Sequence, residues 1–164
     1  MHITFIMPCV GRKPGEPYIR TWSMEPLSIA VLSALTPPEI DRRFFDDRLE
    51  AIDYDAPTDL VALSVETYTA KRAYQIAAGY RAKGVPVVMG GFHPTLAPED
   101  AAGHADAIVM GQAEDTWPQL LKDFAAGEMK KRYIQQGRPA LVIRHPDRSI
   151  YSDKTYQPIA LVET

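Results

Sequence analysis

A single cysteine, Cys9, stands in a chain of 164 residues, and that scarcity excludes several chemistries at once. A disulfide framework inside the chain needs cysteines in pairs. An iron–sulfur cluster usually takes about four thiolates, so these residues do not hold one alone. Charge of one sign is also lacking: 18 Lys and Arg oppose 21 Asp and Glu, for a net charge of −3. That balance leaves no basic footprint for nucleic acid. No apolar run approaches the roughly 18 residues that cross a bilayer. The start, MHITFIMP, has no basic n-region and no long apolar stretch, so it reads as a first core strand and not a signal peptide. The cytosol is the default compartment, with neither membrane nor nucleic acid expected as a partner. What remains is an ordinary globular composition, 46% hydrophobic and 24% charged, of a length that suits one compact domain.

Strand and helix patterns alternate along that length. His2–Met7 is a short apolar strand stopped by Pro8. Residues 9–24 form a long polar loop with Gly11, Pro14, Gly15 and Pro17, a length uncommon unless the loop covers something. Leu27, Ala30, Val31, Ala34 and Leu35 recur at helical spacing until Pro37-Pro38. Ile40–Phe45 is a weaker strand, interrupted by Arg42-Arg43, and Asp59–Val65 a strong buried one. Thr67 or Thr69 caps a helix whose inner face is Ala73, Ile76, Ala77 and Tyr80, with Gly84 at its end. Val85–Met89 is the fourth strand, Pro98 opens a short helix, and Ala107–Met110 is the fifth strand. Trp117, Leu120, Leu121 and Phe124 mark the last helix, which ends near Gly127.

This alternation predicts an α/β, doubly wound, flavodoxin-like (Rossmann-like) fold: a five-stranded parallel sheet in three layers, of order 2-1-3-4-5. After Gly127 the pattern changes. Residues 1–127 are read as the domain. Residues 128–164 are read as one strand, ALVIR (140–144), plus an extended linker that ends in a new apolar run, as though cut from a longer chain.

In such a sheet the functional loops follow the strands: MPCVG (7–11), DDRLE (46–50), SVETYT (64–69), GGFHPT (90–95) and GQAED (111–115). They lack the familiar signatures. No GxGxxG follows the first strand, no GxxxxGK[ST] phosphate loop occurs, and Ser64 stands where a phospho-acceptor domain carries aspartate. His2, His93, His104 and His145 lie far apart in sequence and no CxxC exists, so no metal-ligand cluster is expected. A Cys9–His93 dyad at the carboxyl edge is conceivable, but a cysteine and a histidine co-occur in most chains. The remaining inventory is small, hydroxyl-bearing and glycine-rich. It suits a large cofactor held by many modest contacts, with no catalytic side chain on this chain.

The segments SMEPLSIAVLSALTP (23–37), DLVALSVETYTAKRAY (59–74), VVMGGFHPTLAPEDA (87–101) and HADAIVMGQAEDTWPQLLKDFAAG (104–127) resemble the N-terminal cobalamin (vitamin B12)-binding domain of cobalamin-dependent radical S-adenosylmethionine enzymes. The resemblance implies a cobalamin across the carboxyl edge, its nucleotide tail running toward Gly90-Gly91. It also implies a downstream radical S-adenosylmethionine domain as partner, holding a [4Fe–4S] cluster and S-adenosylmethionine, in a parent enzyme that often transfers methyl groups. The histidine motif DxHxxG of cobalamin mutases is absent, so the cobalamin is expected base-off, with no histidine on cobalt and its lower face covered by Glu66, Thr67 or Tyr68. A cofactor-free relative, or a domain that binds FMN, is the alternative.

The candidate cofactor-binding residues are Cys9, Val10 and Gly11 after the first strand, and Met24 and Glu25 at the start of the first helix. Ser64, Val65, Glu66, Thr67 and Tyr68 follow the third strand; Gly90, Gly91, Phe92, His93 and Thr95 follow the fourth; Gly111, Gln112 and Glu114 follow the fifth. Each has a plainer role beside it. Gly90-Gly91 serves ligand approach or a tight turn, His93 a ligand or its own loop, and Ser64 and Thr95 a ligand or a helix cap. Glu114 meets a ligand or simply suits a helix start. Tyr68 is a corrin wall or helix packing, and Trp117 belongs to the core.

Overall fold

The computed structural model describes residues 1–11, 24–137 and 145–159. The middle of the predicted polar loop, the ALVIR strand and the last apolar run lie outside those residues. Six strands form one parallel sheet in the order β2-β1-β3-β4-β5-β6: β1 His2–Met7, β2 Asp41–Asp46, β3 Leu60–Ser64, β4 Val87–Gly90, β5 Ala107–Met110 and β6 Arg132–Ile134. The helices are α1 Leu27–Leu35, α2 Ala70–Ala82, α3 Phe92–Leu96, α4 Pro98–Ala102 and α5 Thr116–Ala125. The doubly wound, flavodoxin-like expectation holds, with one strand added.

The sheet is covered on both faces, which is why β1 and β3 read as continuous apolar runs. One core packs Phe5, Ala62, Val88 and Val109 against Ile29 and Ala30 of α1 and Trp117 and Leu120 of α5. The other packs Ile6, Leu63, Met89 and Ile108 against Ala73, Ile76 and Tyr80 of α2 and Ala101 of α4. The chain steps outward in opposite directions from the β1/β3 pair, so the crevice beyond the strand ends opens there.

Two differences from the sequence reading have local causes. The sixth strand sits inside the predicted tail. β6 has only three residues, and only Tyr133 of them is buried, so its apolar pattern is nearly invisible. Its register is nonetheless regular, with Val109 beside Tyr133. Both α2 and α5 carry the chain one strand further in the same direction, yet they lie on opposite faces. The β5–α5–β6 crossover is therefore of opposite hand to β3–α2–β4, against the handedness rule that narrows topologies. The second difference is α3: the GGFHPT segment, read as a turn, winds into a helix from Phe92. Gly91 permits it, with φ +105° at the junction.

Residues 147–156 pack back against the domain. Asp147 donates its backbone N–H to Ala30 O (2.9 Å), the Tyr151 hydroxyl to Pro26 O (2.6 Å) and the Tyr156 hydroxyl to Asp46 Oδ2 (2.8 Å). This segment, which includes a short 3-10 helix over Arg148–Tyr151 where the sequence reading had an extended linker, thus runs along α1 and the end of β2.

Candidate functional site

Alternate residues of a strand share a face, and three strands present small ones toward α1 and α5. These are Ala62 and Ser64 on β3, Val88 and Gly90 on β4, and Val109 with Gly111 just beyond β5. Leu27, Ser28, Val31 and Leu32 of α1 form the opposite wall, and Trp117 of α5 closes the side. Between them lies a cleft of about 460 Å³, within the usual range of cofactor sites. Leu27 and Phe92 stand exposed at its mouth, at 52% and 67% of their surface. Gln112 and Glu114 complete the rim.

Below the Gln112 and Glu114 rim, the side chains of the cleft are apolar except for one hydroxyl pair. Ser28 Oγ and Ser64 Oγ lie 2.9 Å apart and bond each other. The Trp117 indole N–H is directed away, to Thr36 Oγ1 at 2.9 Å, so Trp117 contributes ring surface. Thr36 in turn donates to Leu32 O (2.7 Å), which ties the end of α1 to α5.

The two glycines do different work. A Cβ on Gly91 would meet Val65 O at 2.8 Å and Val65 N at 3.0 Å, and its φ of +105° disfavours any side chain. Gly91 is required by the backbone. Gly90 has an ordinary φ, and a Cβ there would stand 3.6 Å from Val109 Cβ, among the cleft walls. The absence of a side chain at Gly90 keeps the cleft open.

A second cavity, about 220 Å³, lies across the strand ends beside β1 and β2. Met7, Cys9, Val10, Arg48, Tyr68 and Thr69 line it. Its surroundings are charged and tightly bonded. Asp47, fully buried, receives Arg72 Nε and Nη2, both at 2.8 Å, and the Cys9 backbone N–H at 3.1 Å. Burial pushes the Asp47 carboxyl up, but the bonds from Arg72 and Cys9 outweigh it and hold the group below its ordinary value. The Cys9 thiol moves the other way, raised by burial and then by its bond to Asp47. Asp46, also fully buried, takes Arg48 Nε and Nη2 at 2.8 and 2.6 Å.

The predicted residues therefore separate into groups. Ser64, Gly90, Gly91, Phe92, Gly111, Gln112 and Glu114 meet in the large cleft. Cys9, Val10 and Tyr68 meet in the small cavity. Gly11, Met24, Glu25, Val65, Glu66, Thr67, His93 and Thr95 line neither. Glu25 pairs with Arg148. The Glu66 N–H donates to Thr69 Oγ1 (3.1 Å), organising the turn into α2. Thr95 caps no helix: its hydroxyl donates to Gly91 O (2.8 Å) and accepts the Gly111 N–H (3.0 Å), tying the turns after β4 and β5.

His93 is drawn inward, 5% exposed. Its Nε2 lies 2.6 Å from the Tyr74 hydroxyl, which donates to Asp100 Oδ2 at 2.9 Å. With that proton committed, Tyr74 accepts from Nε2–H, and Nδ1 is a buried acceptor with no partner among the described residues. The ring of His104 stacks on Tyr74 at 3.8 Å. Cys9 and His93 thus answer to different neighbours, Asp47 and Tyr74, and form no dyad.

Sequence reasoning missed the α1 wall. The available signal was that LSIAVLSAL is apolar nearly all round, although a helix with one buried stripe leaves its outer side polar.

Two kinds of comparison bear on this geometry. The family described as the B12 binding domain matches residues 29–121, a span that includes Val31 and Leu32 of the α1 wall and Trp117 of α5 but begins after Leu27 and Ser28. Among curated proteins, the chain is 40% identical over 114 residues to bacteriochlorophyllide d C-8(2)-methyltransferase of Chlorobaculum tepidum, covering 69% of this chain and 25% of that protein. It is 32% identical over 127 residues to bacteriochlorophyllide d C-12(1)-methyltransferase of the same organism, covering 76% of this chain and 28% of that protein. The chain spans about a quarter of the length of these relatives.

Proposed function

The chain belongs to the B12-binding domain family, and from that premise we propose that it holds a base-off cobalamin, with the nucleotide tail in the α1/α5 cleft and the corrin over the carboxyl edge of the sheet. The observation that carries the reading is the cleft itself: about 460 Å³, mostly apolar, with no side chain at Gly90 to fill it. A benzimidazole nucleotide is a flat apolar body with a polar stem, and such walls suit it. The residues present fit the group. Ser28 and Ser64 share one bond and leave one hydroxyl proton free for an acceptor. Gln112 and Glu114 at the rim face the polar stem, and Tyr68 and Val10, exposed at 66% and 44%, offer apolar surface to the corrin. Gly11, Met24, Glu25, Val65, Glu66 and Thr67 shape the loops around that seat. Among the described residues no histidine lines either cavity, and His93 is bonded inward, which supports a cobalt without a histidine ligand.

When bound, cobalamin supplies a cobalt able to carry a one-carbon group. This chain's residues bind and orient it and exclude water from its tail. The catalytic work belongs to a radical S-adenosylmethionine domain of the same polypeptide, with its own [4Fe–4S] cluster. Two relatives are named as methyltransferases, which supports methyl transfer by the parent, in the cytosol. Among the described residues no helix is long and apolar enough to cross a membrane.

Incubation with hydroxocobalamin followed by desalting is expected to leave a corrinoid spectrum on the protein. EPR of the Co(II) form is expected to lack nitrogen superhyperfine splitting. Retention of FMN instead, or of neither compound, overturns the reading. Nitrogen splitting overturns its cobalt-ligand part. A cysteine triad encoded in the same reading frame supports the radical S-adenosylmethionine partner.

A further inference from the structure

We propose that the α1/α5 cleft selects among corrinoids by the base at the end of the tail, accepting a benzimidazole and rejecting a purine. The inference rests on the cobalamin reading and concerns chemistry that reading leaves open. Its basis is the predominantly aliphatic lining of the cleft.

The walls are aliphatic side chains of α1, β3, β4 and β5 and the ring surface of Trp117. Several of the polar groups among them are already engaged. Trp117 gives its N–H to Thr36. Gly90 O receives the Val65 N–H at 2.8 Å. Gly91 O receives the Thr95 hydroxyl, and the Gly111 N–H goes to the same Thr95 oxygen. Ser28 and Ser64 bond each other, and a hydroxyl pair joined by one bond keeps a single proton to donate outward. Gln112, exposed, and the half-buried Glu114 stand at the rim.

A dimethylbenzimidazole attached through one nitrogen presents a single free ring nitrogen and a methylated apolar edge. One acceptor meets one available proton, and the methyl groups meet aliphatic walls. Adenine attached in the same way presents several ring acceptors and an amino group with protons to place. Against the aliphatic walls, some of these would be buried without partners. One unsatisfied buried group alone corresponds to roughly tenfold in affinity, and the lost methyl contacts act in the same direction.

The test is an absorbance titration of the chain with three corrinoids: cobalamin, its adeninyl analogue, and cobinamide, which has no nucleotide tail. Cobalamin is expected to bind at least about tenfold more tightly than each of the other two. Equal affinity for cobalamin and the adeninyl analogue overturns the selectivity and leaves the cobalamin reading standing. Cobinamide binding as tightly as cobalamin also overturns it, because the tail then does not use the cleft. Failure of all three to bind overturns both this inference and the cobalamin reading.

Discussion

The two cavities at the strand ends are built on opposite physical principles. The α1/α5 cleft is bounded by carbon, and its shape depends on what is missing: a side chain at Gly90 and a filled space between two helices. The cavity beside β1 and β2 is bounded by bonds. Asp46 and Asp47 are adjacent and both fully buried, a costly arrangement unless each is paired. Arg48 and Arg72 pair them through forked contacts, and Tyr156 and the Cys9 N–H add to the set. The charged pairs fix the loops after β1 and β2. The cleft leaves packing incomplete, where apolar surface is free to be buried by a ligand. One sheet edge thus carries a rigid side and a receptive side.

Breaking the rigid side is expected to have the largest effect. Asp47→Ala leaves Arg72 and the Cys9 N–H without their partner, at a cost of about 3 kcal/mol, read as a shift in the urea unfolding curve. The carboxyl's folded pKa lies below its ordinary value. Its contribution to stability is therefore present above about pH 4 and lost as pH falls through the folded pKa. An acid limb of the same steepness in Asp47→Asn would remove Asp47 from the account.

Filling the receptive side comes next. Gly90→Leu places a side chain among the cleft walls and is expected to weaken cobalamin about 100-fold, or about 2.7 kcal/mol, while urea stability changes little. Unchanged affinity would show that the tail lies elsewhere. Its neighbour gives the converse: Gly91→Ala forces a Cβ against Val65 O at φ +105° and is expected to cost about 2 kcal/mol of stability. Smallest is Tyr74→Phe, which removes the bonds to His93 and Asp100. Stability is expected to fall by about 1 kcal/mol, with cobalamin affinity unchanged within about twofold. A large loss of affinity would return His93 to the binding site.

Much of the frame was legible in the sequence. The apolar runs of β1, β3, β4 and β5 and the helical spacing between them define a parallel sheet, because strands buried on both faces cannot alternate. The glycine turns after β4 and β5 were legible as edge loops, and seven residues named from those loops and from Ser64 do line the cleft. The α1 wall was not, since Leu27, Val31 and Leu32 look like ordinary helix residues until Trp117 stands beside them. The sequence pointed to His93 because histidine is chemically versatile. The fold turned it toward Tyr74, a partner 19 residues away in sequence.

By itself, the sequence determined which residues leave water, the order of strand and helix, and which loops reach the carboxyl edge. Burial and backbone preference act locally and repeat with fixed periods, so they are readable along the chain. Only the tertiary structure decided that α1 and α5 stand apart over Gly90, that Asp46 and Asp47 are tied off by arginines, and that a sixth strand joins the edge. Those outcomes depend on which surfaces meet across the fold, and periodicity records that a face is buried without recording what buries it.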